Sequence, residues 1–185
     1  MDHYLVQGTS GSSPSERVNE DVDTALNFRE NQQMQLEQDG KNVEKPLYTA
    51  NALAAGEGRN GTARTSDGKL DVTLASPVEL GGTGRGTNPE QLFAAGYAAC
   101  FHSALRMLAL KERADLTDSA VAAKVHLVQP DGTAYVLEVE LEVALPVLDL
   151  STAEALVARA HAICPYSNAT RGNITVDIRI LEYAA

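Results

Sequence analysis

Two cysteines, Cys100 and Cys164, carry the chemistry that this sequence offers. Cys100 lies in GTNPEQLFAAGYAACF, where an Asn-Pro-Glu helix start leads into a run of small and apolar residues. Cys164 lies in HAICPYSNATRGNI, directly before a proline. The intervening residues are rich in strand patterns, so thiols distant in sequence can be close in space. A cysteine in such surroundings can be a small buried hydrophobe, a metal ligand or a redox-active thiolate.

The metal option would draw on Cys100, His102, His161 and Cys164 as a Cys2His2 zinc set. In a helix His161 and Cys164 share a face, being three residues apart. Cys100 and His102 are two apart, and roughly 200° of rotation separates them. A regular helix cannot turn both toward one ion. A second motif, Gly56-Glu57-Gly58-Arg59-Asn60-Gly61, matches the GxGxxG pattern of dinucleotide sites. That pattern requires a helix directly after it, and here the sequence enters a hairpin, so the stretch reads as a turn carrying Arg59. A third candidate is the row Glu138, Glu140, Glu142. It alternates with apolar residues at period 2 and reads as the wet face of a strand.

The elements that must position these groups begin near Pro46. Leu47 to Leu53 reads as a strand. Thr62 to Ser66 and Lys69 to Ala75 flank Asp67-Gly68, a two-residue hairpin signal. Glu79 to Thr87 is a Gly-rich loop. Asn88 offers a helix N-cap, Pro89 fits the first helical position, and Gln91 stands where a capping box needs it. The helix is expected to reach about Arg113. Its first half has no polar face, so it is expected to be buried on every side.

A long hairpin follows, with Val121 to Leu127 and Leu137 to Leu145 alternating about a turn at Pro130-Asp131-Gly132. Ser151 is expected to cap a second helix running to about Ile163, with Glu154 at its third position. Pro165 disfavours helical geometry at the residue before it, so Cys164 should sit at or near that helix's end. Ile174 to Ile180 makes a last strand. Without regular βαβ alternation, this order predicts an α+β fold with a largely antiparallel sheet.

The chain has 185 residues and 44% hydrophobic residues, enough for one real core. Its net charge is −10. The first 45 residues hold four basic against nine acidic side chains and the rest eleven against sixteen, so each part is net −5. No basic patch invites nucleic acid or an anionic membrane surface. Residues 1–45 read as a polar acidic extension, disordered in isolation, with a short helix possible over 22–36. Residues 46–185 form the folded domain. No signal peptide is recognisable at Met1-Asp2-His3, and no stretch is read as approaching the roughly 18 apolar residues of a membrane span. Two cysteines do not make a disulfide framework, and a reducing, cytoplasmic location is expected.

The stretch PVELGG-T-GRGTNPEQLFAAGYAACF, the Gly58-Arg59-Asn60-Gly61 loop before its hairpin, and ICPYSNATRGNI resemble the organic hydroperoxide resistance (Ohr) branch of the Ohr/OsmC family. The resemblance runs from about Pro46 to Leu181, and residues 1–45 fall outside it. It implies an OsmC-like α+β fold with an antiparallel sheet, a buried central helix and an intertwined homodimer. It also implies a thiol peroxidase that reduces organic hydroperoxides to alcohols. By the resemblance, Cys100 is the attacking thiol, Cys164 the resolving one, Arg59 the loop arginine and Glu90 its carboxylate partner. Arg85, where the family usually has small residues, is a second cation that could share the role of Arg59.

The physical chemistry suits those roles. A thiolate attacks the peroxide oxygen, and a nearby guanidinium would lower the thiol pKa. Arg59 could hold the developing alkoxide, oriented by a bidentate pair with Glu90. Cys164 would close the resulting sulfenic acid to a disulfide. The resemblance implies dihydrolipoamide on lipoylated proteins as reductant, with no metal, flavin or haem. Phe93, Gly96, Tyr97 and Ala104 share the helical face of Cys100, with Leu92 and Met107 nearby, an apolar surrounding that favours alkyl hydroperoxides. Glu90 and Cys100 lie ten residues apart on one helix, roughly 15 Å along its axis. A site using both is therefore expected to be shared across a subunit boundary. The alternatives are an OsmC-branch peroxidase of broader peroxide use, or a non-catalytic thiol or zinc-binding stress protein.

Overall fold

The computed structural model describes residues 45–181. The extension expected over residues 1–45, with its helix over 22–36, lies outside the described residues apart from Lys45. Strands β1 (Ala52–Ala55), β2 (Thr62–Thr65) and β3 (Asp71–Thr73) form a three-stranded sheet in that order. By its internal contacts the chain separates into two units. Of the described residues, one holds 45–54 and 63–71 and the other 55–62 and 72–181.

In the first unit the Asp67-Gly68 turn forms where expected. Thr65 N–H donates to Leu70 O at 2.8 Å, and Gly68 adopts φ 68°, a left-handed conformation that glycine takes without strain. Asp67 Oδ1 accepts from Thr65 Oγ1 at 2.6 Å and Lys69 N–H at 3.1 Å. The strand expected over 47–53 starts later, at Ala52, and Leu47 and Tyr48 are exposed.

The second unit is built around helix α1 (Pro89–Glu112). Asn88 caps it, its side chain accepting from Gln91 N–H at 2.9 Å, with Pro89 at the first position. It ends at Arg113, which takes a left-handed conformation (φ 58°). Strands β4 (Ala120–Val128) and β5 (Val136–Ala144) then form an antiparallel hairpin running from Ala120↔Ala144 to Val128↔Val136. Helices α2 (Leu150–Ile163) and α3 (Pro165–Thr170) lead to β6 (Val176–Leu181).

Strand β6 is an exception to the largely antiparallel expectation. It pairs with β5 in parallel, from Val139↔Val176 to Ala144↔Leu181. The two helices between these strands supply the crossover that parallel neighbours need. The cap of α2 also differs. Asp149, not Ser151, is the N-cap, accepting from Thr152 N–H at 3.0 Å and from the hydroxyls of Ser151 and Thr152 at 2.6 and 2.7 Å. A carboxylate has room for all three donors, and they hold the Asp149 pKa down at about 2. Glu154 then stands beyond the capping-box position.

The core forms where α1 and α2 cover one face of the β4–β5–β6 sheet. Val139, Leu141 and Val143 meet Tyr97, Phe101, Leu105 and Leu108 of α1, and Leu156 and Ala160 of α2. The other sheet face is wet, as the period-2 pattern implies. There Lys124 pairs with Glu142 at 2.5 Å, and Arg179 reaches Glu140 at 3.7 Å.

Two expectations about α1 are revised. By length and composition it is long and apolar enough to cross a membrane. Its buried residues nevertheless serve a packed core of sheet and helices. It is also not buried on every side within one chain. Ala95 and Ala99 are exposed, as are Met107 (48%) and Leu110 (82%).

Candidate active site

Arg59 is delivered by a glycine-framed turn. A 3-10 turn over Gly58–Asn60 is bounded by Gly56 (φ 82°) and Gly61. A Cβ on Gly61 would lie 2.0 Å from Ala55 O, so only glycine fits there. The turn is tied down by Leu74 N–H to Gly61 O at 2.9 Å and Ser76 N–H to Asn60 Oδ1 at 3.1 Å. From this base Arg59 meets Glu90, in the first turn of α1, as a two-pronged pair. Nη1 donates to Oε2 at 2.9 Å and Nη2 to Oε1 at 2.6 Å.

Position and partner act together on Glu90. A carboxylate suits the positive end of a helix dipole, and the fork geometry matches a guanidinium. The Arg59 hydrogen bonds hold the Glu90 carboxyl below its ordinary pKa, against burial, which raises it. The same bonds raise the pKa of Arg59. Arg85 is exposed, and among the described residues its side chain makes no ion pair. Glu90 is therefore engaged by Arg59.

The thiols come together from two different elements. Cys100 is half-buried on α1. Cys164 is fully buried, and it both ends α2 and begins α3, with φ −63° and ψ 124°. This is the extended geometry that the following Pro165 imposes. Cys164 Sγ donates to Cys100 Sγ at 3.5 Å, across a separation of 64 residues. Both cysteines are free thiols.

Burial is the largest influence on Cys100 and pushes its thiol pKa up. The backbone of Tyr166 opposes this, and Cys164 adds to the rise. Arg59 is not among the groups that act on Cys100 within the chain. α1 carries Glu90, and with it Arg59, roughly 15 Å of helix axis away from Cys100.

Among the described residues no three His, Cys, Asp or Glu side chains group as a metal site. His102 Nε2 instead lies 3.0 Å from Ser119 Oγ. Burial and Arg106 lower its pKa. Burial, then Arg171, lowers that of His161.

Sequence reasoning missed Tyr166 and Ser167, which follow Cys164 on α3. Tyr166 lays its ring against Phe93 and Tyr97, with centroids 5.7 and 5.6 Å apart. Tyr97 Oη donates to Ser167 Oγ at 3.0 Å in the core. The available signal was Pro165, which can open a helix as well as close one. A cavity of about 680 Å³ lies along the start of α1, where Glu90 and Ala94 face Leu80, Ala123, Val125 and Leu127.

The family model described as OsmC-like protein matches residues 82–179. The organic hydroperoxide resistance protein of Xanthomonas axonopodis pv. citri is 49% identical over 139 residues, covering 74% of this chain and 96% of that protein. Organic hydroperoxide resistance protein OhrA of Bacillus subtilis is 44% identical over 147 residues, covering 76% of this chain and all of that one. Among solved structures, an organic hydroperoxide resistance protein from Legionella pneumophila superposes with a TM-score of 0.71 at 49% identity, covering 75% of this chain and all of its own. The chain belongs to the OsmC-like family, in its organic hydroperoxide resistance (Ohr) branch.

Proposed function

We propose that this protein is a cysteine-based peroxidase that reduces organic hydroperoxides to alcohols. The observation that carries the reading is the 3.5 Å approach of the two free sulfurs. The Cys100 thiolate attacks the outer peroxide oxygen and the O–O bond breaks. The alkoxide leaves and takes a proton as the alcohol, while Cys100 becomes a sulfenic acid. Cys164 then attacks the Cys100 sulfur, a disulfide forms and water departs. A dithiol reduces the disulfide by two exchange steps. Dihydrolipoamide on a lipoylated protein is the proposed source, with no resident cofactor. The names of the relatives support hydroperoxides as substrates, as do the apolar neighbours of Cys100.

The active form is proposed to be an intertwined homodimer, residues 46–185 forming its peroxidase domain, in the cytoplasm. Two features support the dimer. Leu110 and Met107 stand exposed on the central helix. A thiol whose pKa is raised by burial also has, among the described residues of its own chain, no cation acting on it of the kind that attack requires. Arg59, held by Glu90, would serve the Cys100 of a second copy. The test is intact-mass spectrometry of the reduced protein after one equivalent of cumene hydroperoxide. Loss of two hydrogens, absent in Cys100→Ser, is expected. An unchanged mass while the peroxide persists would sink the reading.

A further inference from the structure

Three hydroxyls lie in the apolar core beside the two sulfurs. Tyr97 Oη donates to Ser167 Oγ at 3.0 Å and lies 3.3 Å from Thr170 Oγ1. Thr170 Oγ1 in turn donates to the Tyr166 carbonyl at 2.9 Å. Tyr97 and Ser167 are fully buried and Thr170 nearly so. Phenylalanine and alanine would fill nearly the same space without polar groups that must be satisfied. The cluster has a particular placement. Tyr97 precedes Cys100 by three residues on α1, and Ser167 follows Cys164 by three residues on α3. The hydrogen bond therefore joins the two helices about one turn from each sulfur.

A second contact joins the same elements. A Cβ on Gly96 would stand 2.8 Å from Tyr166 Oη and 3.3 Å from two of its ring atoms. Gly96 lies four residues before Cys100, so it belongs to the same helical face. The Tyr166 ring is flanked by Phe93 and Tyr97 and rests in the notch that glycine leaves. Tyr166 follows Cys164 by two residues, so a displaced Tyr166 shifts the segment that carries the resolving thiol.

We propose that Tyr97 and Gly96 are positioning residues for the resolving thiol. They seat Cys164 and α3 on α1 and thereby set how fast the Cys100 sulfenic acid closes to a disulfide. The proposal rests on the thiol-peroxidase reading above. Two fates compete for the sulfenic acid. In closure, Cys164–SH and Cys100–SOH form the S–S bond and release water. In over-oxidation, a second hydroperoxide gives an oxygen to Cys100, leaving a sulfinic acid and an alcohol. Closure is unimolecular and depends on geometry, whereas over-oxidation scales with peroxide concentration. The sulfurs must close from 3.5 Å to about 2.05 Å. A misplacement of about 1 Å in such a step can cost up to about 10²-fold in rate.

The test compares the reduced wild-type chain with Tyr97→Phe, Gly96→Ala and the double variant Gly96→Ala/Tyr166→Phe. Stopped-flow mixing with graded cumene hydroperoxide resolves attack from closure, and intact mass counts disulfide against sulfinic acid. In Tyr97→Phe and Gly96→Ala, closure is expected to slow on the order of tenfold, while attack changes little. The peroxide concentration that converts half the chains to sulfinic acid should fall by the same factor. Removing Tyr166 Oη takes away the 2.8 Å clash, so the double variant should recover part of the lost closure rate.

A wild-type ratio of disulfide to sulfinic acid in folded Tyr97→Phe and Gly96→Ala overturns the proposal. Equal loss in both steps, the mark of general damage, also overturns it. If Tyr97→Phe fails to fold, Gly96→Ala and its rescue decide the matter alone. Failure of the peroxidase reading shows separately, as a wild-type arm that forms no disulfide, and takes this proposal with it.

Discussion

Oxidation by a hydroperoxide should make the protein measurably more stable. A Cys100–Cys164 bond would close a loop whose ends lie 64 residues apart. Chain-entropy arithmetic for a loop of that length gives about 14–15 cal/mol/K, or about 4.3 kcal/mol at 25 °C. Part of this is offset, because the sulfurs must approach from 3.5 Å to about 2.05 Å and Cys164 is fully buried. A net gain of about 2–4 kcal/mol remains the expectation. For a chain of 185 residues each kcal/mol moves Tm by about 2–4 °C, so the oxidised form should melt roughly 5–15 °C higher. The assay is calorimetry of reduced protein and of protein treated with one equivalent of cumene hydroperoxide. Protein concentration is held fixed, since association also shifts Tm. Cys164→Ser, which cannot form the bond, should show no such rise. If the mass confirms loss of two hydrogens and Tm does not move, the loop-closure reasoning is refuted.

Three further outcomes are expected. Arg59→Ala should slow attack by roughly 10²-fold, the scale for removing one electrostatic stabiliser, and Arg85→Ala should change it much less; the reverse order in stopped-flow rates would show that Arg85 serves the site. The lowered pKa of Glu90 makes its stabilisation present above its ordinary value of 4.5 and lost as pH falls through the lower folded value. Glu90→Gln should therefore flatten the acid limb of a Tm-against-pH profile, and an unchanged limb would count against the Arg59 pair as its cause. Mixed Glu90→Ala and Cys100→Ser proteins, each inactive alone, should regain turnover on subunit exchange, because each heterodimer would hold one complete site; exchange shown by native mass spectrometry without recovered activity excludes a shared site.

The parts of the fold that were legible in the sequence are those fixed by local backbone chemistry. Asn88, Pro89 and Gln91 set the start of α1, because a cap side chain and a missing N–H act on the nearest turn. Pro165 placed Cys164 at a helix end through a clash with its immediate neighbour. Local rules failed where two residues could play one part. Asp149 and Ser151 are both good caps, and Asp149 prevails because its two oxygens take three donors at once. The direction of β6 was illegible for another reason. Apolar alternation tells which face is buried and carries no information about which way a strand runs beside its neighbour. Tyr166 and Ser167 were overlooked because their partners, Gly96 and Tyr97, are some seventy residues away.

The pieces of the site differ in the same way, and the difference bears on how it would work. The motifs place Arg59 beside Glu90 and Cys164 beside Cys100, and each pair forms within one chain. Each pair alone is chemically incomplete. A guanidinium held by a carboxylate has no thiol to activate. A thiol whose pKa is raised by burial has, among the described residues, no cation acting on it to favour its thiolate. The helix that carries both Glu90 and Cys100 sets them roughly 15 Å apart along its axis, and no side-chain rotation shortens that axis. A second copy of the chain is the simplest source of the missing half. The same helix exposes Leu110 and Met107, an apolar surface that a second copy would cover. On this view the dimer would be a condition of the chemistry, because only across two chains would a polarising arginine and an attacking sulfur meet.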